Sequence, residues 1–439
     1  MKRVVREVLL ATGCDEDFLP LVTSFVKEAA LCHGLGRDEA MGLTLAGEEI
    51  FVHLCRTAKP GREPVEIRCG SGGYYVQAEF SFTAEDLDLR AFNLTTSIAL
   101  DDDAELEGMG LVIASRLVDR FQLSFEQARH VRLSLVQEKS YPLHEEDSPP
   151  VCPPLSRVSI RPPSPEEVKL IARQARHCYL GHYLSDFFKY PGKLVDMLAA
   201  GEYQGLAAIG PAGEVGGAIL WNWAGRRTVE CFGPYVFTED SDSVMAESLV
   251  EGCIGAIART HAVGLINTRP TPQLPEQHFE RLGTLKASTE DGASMTVHAW
   301  FRLMREDEGC AVWVHEDLQE FVQRECRRLV LPREIRRAQN AGENLPAHSV
   351  ISVQSDRLQG RAVLRPMWPG SDCEANIEKH VHLMRQEGIP NLFFMMDLGQ
   401  AWQADFTSGL LHHGFTPCLL LPYAGEADVI LLQLSESGS

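Results

Sequence analysis

The sequence predicts an α/β protein of several domains, and three observations carry that prediction. The chain has 439 residues, more than one ordinary hydrophobic core accommodates, so two or three domains are expected. Segments of helical period alternate with segments of strand period along the chain. A stretch at 142–165 holds eight of the 24 prolines, and proline disfavours both helix and sheet, so this stretch is expected to be an extended linker.

The composition is that of a globular protein and excludes some classes of partner. Hydrophobic residues make up 44% of the chain and charged residues 23%. The net charge of -20 argues against nucleic acid or an anionic membrane as a general partner, because phosphate would be repelled over most of the surface. The twelve cysteines are scattered, without a CxxC pair, so neither a zinc ribbon nor a disulfide framework is expected. The absence of a signal-like or membrane-spanning run predicts a cytoplasmic protein.

The first domain is predicted over residues 1–141, with the order strand, two helices, two strands, helix and final strands. The predicted strands and helices lie at 3–11, 16–33, 37–57, 64–69, 74–82, 108–120 and 121–137. Gly34 is a natural C-cap for the first helix, and Lys59-Pro60-Gly61 stops the second.

This layout, together with the string LTLAGEEIFVH at 43–53, resembles the GHKL class of ATPases. The nearest relatives in that class are the anti-sigma-factor serine kinases. The resemblance implies a catalytic Glu at Glu49 and, four residues on, a residue that holds Mg²⁺ against ATP. His53 stands where the family has Asn, and imidazole suits softer metals than Mg²⁺. His53 is therefore either a changed ligand or a position that no longer serves the nucleotide.

Of two further family motifs, one is replaced and one is intact. Phe82 stands where the family has the Asp that accepts the adenine amino group, and Phe cannot accept that hydrogen bond. Gly108 and Gly110 match the glycines that let a backbone approach phosphate, although a tight turn needs the same glycines without a ligand. Five carboxylates at 101–107 precede them, either as a solvated loop or as a metal site. We expect ATP and Mg²⁺ to bind poorly or not at all.

The chain after the linker is predicted to hold two related domains, at 166–306 and 307–439. In the first, a helical region at 165–198 precedes a hairpin at 204–223, a strand at 228–236, a helix at 243–262, a strand at 264–268, a short helix at 275–282 and closing strands at 295–304. The second repeats the order strand, loop, helix, strand, helix, strand, with strands at 361–366, 391–396 and 429–434 and a helix at 374–386.

The hairpin LAAIGPAGEVGGAIL at 206–220 and the elements after it resemble the GNAT acetyltransferases. The resemblance implies acetyl-CoA as cofactor, with its pyrophosphate held by backbone N–H groups at a helix N-terminus. The matching loop contains Ser241, Ser243 and Val244, but it has three carboxylates and neither glycine nor arginine. In the second copy Gly370 lies in the corresponding loop. Metal-binding histidine pairs are not expected from the spacing in this half.

Glu230 is the candidate catalytic base of the first copy, because it lies on the strand where GNAT enzymes place one; an outward-facing residue of an alternating strand is the alternative. Two functions follow. In one, the chain is a regulatory protein that binds a protein partner, such as a sigma factor or its antagonist, with a GNAT-like part that senses a ligand. In the other it is an N-acyltransferase regulated by its first domain. The resemblance to anti-sigma kinases also implies a homodimer, and an active serine kinase is a third reading.

Overall fold

The computed structural model divides the chain into two compact units. The first contains residues 1–141, 345–352 and 366–372, and the second contains 142–344, 353–365 and 373–439. The structure describes residues 7–57, 64–83, 93, 95, 114, 116–126, 130–143, 153–155, 157–238, 243–288, 294–338, 345–356 and 360–435. The predicted last domain, 307–439, thus contributes to both units. None of the described helices combines the length and the hydropathy needed to cross a bilayer.

The first unit is an antiparallel sheet with two helices, in the predicted order along the chain. Its elements are β1 (Glu7–Thr12), a 3-10 turn (Glu16–Phe18), α1 (Leu19–Cys32), α2 (Arg37–Thr57), β2 (Val65–Ser71), β3 (Tyr75–Thr83), β4 (Arg120–Glu126) and β5 (His130–Glu138). The strand order is β1-β2-β3-β5-β4, and all neighbours pair antiparallel. The helix predicted from Gly108 falls largely outside the described residues.

The core of the first unit forms where α2 faces the sheet. Leu43, Ile50 and Leu54 recur at helical spacing on one face of α2 and are buried together with Phe80. Val350, from the returning segment 345–352, is buried in the same cluster. The side chain of Asn93 fixes that segment: its Nδ2 donates to Ser349 O (2.8 Å), and its Oδ1 accepts from Ile351 N (2.9 Å).

The second unit begins with a seven-stranded sheet. Its elements are β6 (Ser159–Arg161), α3 (Pro165–Cys178), α4 (Pro191–Ala200), β7 (Tyr203–Ile209), β8 (Val215–Trp223), β9 (Thr228–Val236), α5 (Ser243–Ile257), β10 (Gly264–Asn267), β11 (Glu280–Ser288) and β12 (Ser294–Leu303), with 3-10 turns at Gly181–Tyr183, Asp186–Lys189 and Glu276–His278. The order is β11-β12-β10-β9-β8-β7-β6, antiparallel except for the parallel pair β9 and β10.

One predicted element of this sheet is wrong. The short helix expected at 275–282 is a single 3-10 turn, and residues from Glu280 onwards form β11. Leu282 and Leu285 are buried in that strand, which pairs with β12 along its length. The helical period was misleading because β11 contains a bulge between Arg281 and Gly283, which breaks the strict alternation typical of a strand.

A five-stranded sheet follows in the C-terminal third. The elements there are β13 (Cys310–Val314), α6 (Glu316–Arg328), β14 (Arg333–Arg337), β15 (Val350–Asp356), β16 (Arg361–Trp368), α7 (Cys373–Gln386), β17 (Asn391–Asp397), a 3-10 helix (Ala401–Phe406), α8 (Thr407–His412), β18 (Phe415–Leu421) and β19 (Val429–Leu434). The sheet order is β15-β16-β17-β19-β18, while β13 pairs in parallel with β14.

The two sheets share a strand order. Both place a parallel pair in the middle, β9 with β10 and β16 with β17, and both continue with two antiparallel strands whose order in space is the reverse of their order in sequence. In both, a helix connects the two parallel strands, which is the usual connection for such a pair. The extents of the two predicted domains remain predictions.

Candidate functional site

The most distinctive site of the first sheet lies where β9 and β10 separate. The two strands pair in parallel only from Gly264 with Thr228 to Ile266 with Glu230. Beyond that point β9 runs on to Val236, whereas β10 ends at Asn267. The far half of β9 therefore has no strand partner on this side, and its backbone groups are those of an edge strand.

Side chains of the same chain form hydrogen bonds with the backbone groups of this edge. Asn267 Nδ2 donates to Gly233 O at 2.9 Å, and Thr271 Oγ1 donates to Pro234 O at 2.6 Å. Pro234 has no N–H to offer. The Tyr179 hydroxyl accepts from the Val236 N–H at 2.6 Å and lies within donor range of Val236 O, at 3.2 Å. The gap between the strands is thus bridged from both sides by polar side chains.

An aromatic cluster holds Tyr179 in place. Its ring contacts those of Tyr183 and Tyr235 edge to face, with centroids 6.3 Å and 5.2 Å away. The Tyr235 hydroxyl donates to Tyr183 O at 3.1 Å. Burial raises the pKa of Tyr179 to about 12, so the hydroxyl keeps its proton at neutral pH. This bridge is therefore present throughout the physiological pH range.

Glu230, the candidate base, is half-buried on β9 at the near end of the gap. Its carboxylate accepts a hydrogen bond from Thr268 Oγ1 at 2.5 Å, and it lies opposite Asn222 of β8. A carboxylate in this position has the chemistry of a general base. Its role stays a prediction.

Only part of the loop predicted to hold pyrophosphate lies within the described residues. Ser241 lies outside the described residues, and Ser243 begins α5, although its side chain is not among those described. Val244 is exposed. One turn further along α5, Glu247 accepts from Gln277 Nε2 at 2.6 Å and contacts His278.

The corresponding loop of the C-terminal third belongs to the first unit. A Cβ added at Gly370 would lie 2.1 Å from Ser349 N, so the glycine permits a close backbone approach there. Ser371 N donates to Pro346 O at 2.8 Å, and Asp372 accepts from Ser349 N at 2.6 Å. The ligand-binding role predicted for Gly370 stays a prediction.

The candidate nucleotide-site residues of the first domain lie partly within the described residues. Glu49 and His53 lie one turn apart on α2, and both are half-buried. Phe82 is buried at the end of β3. Gly108 and Gly110, with the acidic loop before them, lie outside the described residues.

Within the part of the chain that the structure describes, two groups of side chains have the composition of a metal site. Glu247, Glu251 and His278 form one, and Glu374, His412 and His413 form the other; within each group the candidate ligand atoms lie within 4.8 Å of one another. A neutral imidazole beside carboxylates suits zinc and similar ions. These groups bring together residues that the sequence did not, because their members come from different elements.

The residues that bridge the β9–β10 gap were also missed. A hydroxyl, an amide and a second hydroxyl at Tyr179, Asn267 and Thr271 lie far apart in sequence and belong to no motif of fixed spacing. The signal that could have pointed to them is local: a polar run follows a short apolar strand, and such side chains seek buried backbone partners.

Comparisons with known proteins give a partial likeness. No protein-family model matches the chain, and no curated protein matches its sequence. Among solved structures, a GNAT-superfamily phosphinothricin acetyltransferase from Sinorhizobium meliloti, in complex with acetyl-CoA, is 16% identical with a TM-score of 0.28, covering 33% of this chain and 88% of its own. An N-acetyltransferase from Staphylococcus aureus is 14% identical with a TM-score of 0.29, covering 34% of this chain and 100% of its own. At these values the likeness carries no conclusion about activity or ligand.

Proposed function

We propose that this chain is a regulatory protein that acts by binding, and that its first GNAT-like sheet does not transfer acyl groups. The observation that carries the proposal is the bridged gap between β9 and β10. Gly233 O, Pro234 O and Val236 N are all hydrogen-bonded to side chains of the same chain.

The physical reason concerns what an acyl-CoA thioester would need in this gap. Its pantetheine arm is an extended chain with two amides, and such a chain binds a strand edge by pairing with free backbone groups. Here each group would first have to lose its partner. Leaving a buried donor or acceptor unpaired costs about 1 to 3 kcal/mol. The bound arm would restore some of these hydrogen bonds but would leave the polar side chains of Asn267, Thr271 and Tyr179 without their present partners.

Binding of a protein partner is the proposed role of the first unit. Its edge strand β1 exposes Val8 (43%) and Leu9 (54%), and an exposed apolar edge strand is a template for pairing with another chain. The partner proposed is a sigma factor or its antagonist, with a homodimer through the same domain as the resemblance implies. Glu49 is retained there without the family's Mg²⁺ ligand, which supports partner binding over serine kinase activity.

Titration with acetyl-CoA tests the proposal. We expect the wild-type chain to release no free CoA thiol in the presence of amine acceptors, and thermal unfolding and calorimetry to show no acetyl-CoA binding at the β9–β10 gap. The double variant Asn267→Ala/Thr271→Val removes two of the bridges and is the matched test: weak acetyl-CoA binding that emerges only in this variant supports the bridged gap as the cause.

The alternative, an N-acyltransferase that uses acyl-CoA, predicts the opposite. Acetyl-CoA binding by the wild-type chain, with thiol release that Glu230→Gln abolishes, would overturn the proposal and assign Glu230 as the base. For the first unit, we expect no Mg-ATP binding that depends on Glu49 or His53. Micromolar binding that Glu49→Gln or His53→Ala weakens would instead favour the kinase.

A further inference from the structure

A cavity of about 780 Å³ lies within the second unit, where the seven-stranded sheet meets the C-terminal third of the chain. β11 and α6 line it together with β18, β19 and the start of β17. The volume is in the range of small-molecule sites. The cavity is separate from the β9–β10 gap and shares none of its residues.

The charge of the cavity is opposite to that of the chain. Its described lining holds four cations and one carboxylate, namely Arg281, Lys286, Arg324, Arg328 and Glu325. The local balance is thus strongly positive on a protein of net charge -20. A cleft lined by one sign of charge concentrates the field and attracts ligands of the opposite sign.

A β-bulge builds one wall of this cavity. Arg281 pairs with Trp300 and Gly283 with Ala299, so Leu282 is the extra residue of β11. The insertion shifts the alternation by one residue, which places Arg281 on the same face as Thr284 and Lys286. Without the bulge Arg281 would point to the opposite face. Bulges commonly re-aim a side chain next to a functional site.

The helix α6 supplies two further cations to the lining. Arg324 and Arg328 are four residues apart and lie on one face of the helix. Arg328 is held rigidly, because it donates to Leu282 O at 2.7 Å and to Glu325 at 2.9 Å. Arg324 donates to Glu325 Oε1 at 3.1 Å and covers the Phe321 ring at 5.1 Å. Glu325 therefore orients both guanidinium groups and neutralises only one of them.

The cations of β11 remain without a carboxylate. Among the described residues no carboxylate forms an ion pair with Arg281 or Lys286; Arg281 Nη2 contacts His298 Nδ1 at 2.8 Å. Thr296 lies directly across from Lys286 and adds a hydroxyl. Two cations and two hydroxyls on one face of the paired strands β11 and β12 form a set of donors without a carboxylate, which suits a multiply charged anion.

We propose that this cavity binds a phosphorylated small molecule of nucleotide size that carries a pyrophosphate group. Three uncompensated positive charges match a di- or trianion better than a single carboxylate. Threonine hydroxyls and arginine guanidinium groups are the donors that phosphate oxygens accept. Leu282 and Pro417 line the remaining volume and would contact the organic part of the ligand.

This proposal does not depend on the proposed function, because the cavity and the β9–β10 gap have different residues. Failure of one is therefore distinguishable from failure of the other. Acetyl-CoA itself carries a pyrophosphate. If it binds, loss of that binding in Lys286→Gln would assign it to the cavity, whereas retention would assign it to the gap.

Calorimetry of the full chain with inorganic pyrophosphate at low ionic strength is the test. We expect binding that weakens with added salt and that Lys286→Gln weakens about ten-fold, since a charge-assisted contact is lost. Thr284→Glu, which adds a carboxylate to the same face, should abolish binding. Both side chains are exposed, so both variants should fold. Arg173→Gln, an exposed arginine on α3, is the matched control and should bind as the wild type does.

ADP is the second probe and tests whether the cavity prefers a ligand of nucleotide size to pyrophosphate alone. Tighter binding of ADP than of pyrophosphate, with the same loss in Lys286→Gln, supports a nucleotide-sized ligand. Sulfate binding as tight as pyrophosphate would show a generic attraction for anions and would overturn the proposal. The proposal would also be overturned if Lys286→Gln and Thr284→Glu bound pyrophosphate as tightly as the wild type does, or if the wild type did not bind pyrophosphate.

Discussion

The two sheets of the second unit and C-terminal third share a strand order but stabilise it differently. In the first, the helix that connects the parallel strands, α5, buries apolar residues such as Leu249, Val250 and Cys253. In the second, the corresponding helix α7 buries the polar Asn376 and His380 among apolar residues such as Ile377 and Val381. One strand order therefore accommodates a buried helix face that is apolar and one that includes polar side chains, and a buried histidine in the second makes stability depend on pH.

The largest effect expected from this comparison comes from a buried ion cluster in the C-terminal third. Arg333 donates to Asp428 at 2.7 and 3.0 Å and to Asp307 at 2.7 Å, with Arg333 and Asp428 side chains fully buried. Arg333→Met would leave two buried carboxylates without their cation, and we expect a loss of about 3 to 5 kcal/mol in the free energy of unfolding. Urea denaturation of the full chain measures it.

The control for this variant lies on the same strand. Arg336 pairs with Glu334 at the surface, so Arg336→Met should cost less than about 1 kcal/mol. Adding Asp307→Asn and Asp428→Asn to Arg333→Met should recover part of the loss, because the uncompensated charges are removed. Equal losses for the two single variants would show that the cluster is not what stabilises this region.

The second largest effect is a dependence of the free energy of unfolding on pH. Burial lowers the pKa of His380 to about 4, from an ordinary value of 6.5. The folded state therefore favours the neutral ring: the contribution to stability is complete above pH 6.5 and is lost as the pH falls towards 4. A shift of this size corresponds to about 3 kcal/mol. We expect the urea midpoint of the wild type to fall over this range and that of His380→Leu to fall less.

His382, two residues away, provides the comparison for that measurement. It is exposed on the same helix, so His382→Leu should keep the wild-type pH dependence. If all three proteins lose stability in parallel between pH 6.5 and 4, His380 is not responsible.

The smallest effect belongs to the first sheet. Tyr179→Phe removes the hydroxyl that accepts from Val236 N and contacts Gln273 Oε1 at 3.1 Å, and leaves a buried N–H unpaired. We expect a loss of about 1 to 3 kcal/mol. Tyr183→Phe in the same aromatic cluster keeps its packing and should change stability by less than about 0.5 kcal/mol. Thermal unfolding of the two variants compares them, and similar midpoints would mean that the bridge contributes little.

Much of the fold followed from periodicity and turn residues. The strands β9 and β19 were predicted with the observed ends, and α7 to within one residue, because Gly-containing turns or a loop bound each of them. The helix α6 was not predicted, although it is strongly amphipathic, because the predicted repeat begins only at Arg361. The strand β11 was mistaken for a helix because of its bulge.

The site was less predictable than the fold, for a physical reason. Motifs of fixed spacing identify residues that one element brings together, as with Glu49 and His53 on α2. The bridges at Asn267 and Thr271 depend on how far two strands separate, which no local pattern encodes. The cavity likewise depends on the packing of α6 against β11; α6 was not predicted, and the start of β11 was predicted as a helix.

The return of residues 345–352 to the first unit has a consequence for how the chain folds during synthesis. Val350 and the backbone partners of Asn93 are synthesised about 200 residues after the N-terminal segment of the first unit ends at Tyr141. At about 5 to 20 residues per second, this takes roughly 10 to 40 s. During that interval the N-terminal segment lacks part of its core, so its last folding step must wait for the C-terminal third of the chain.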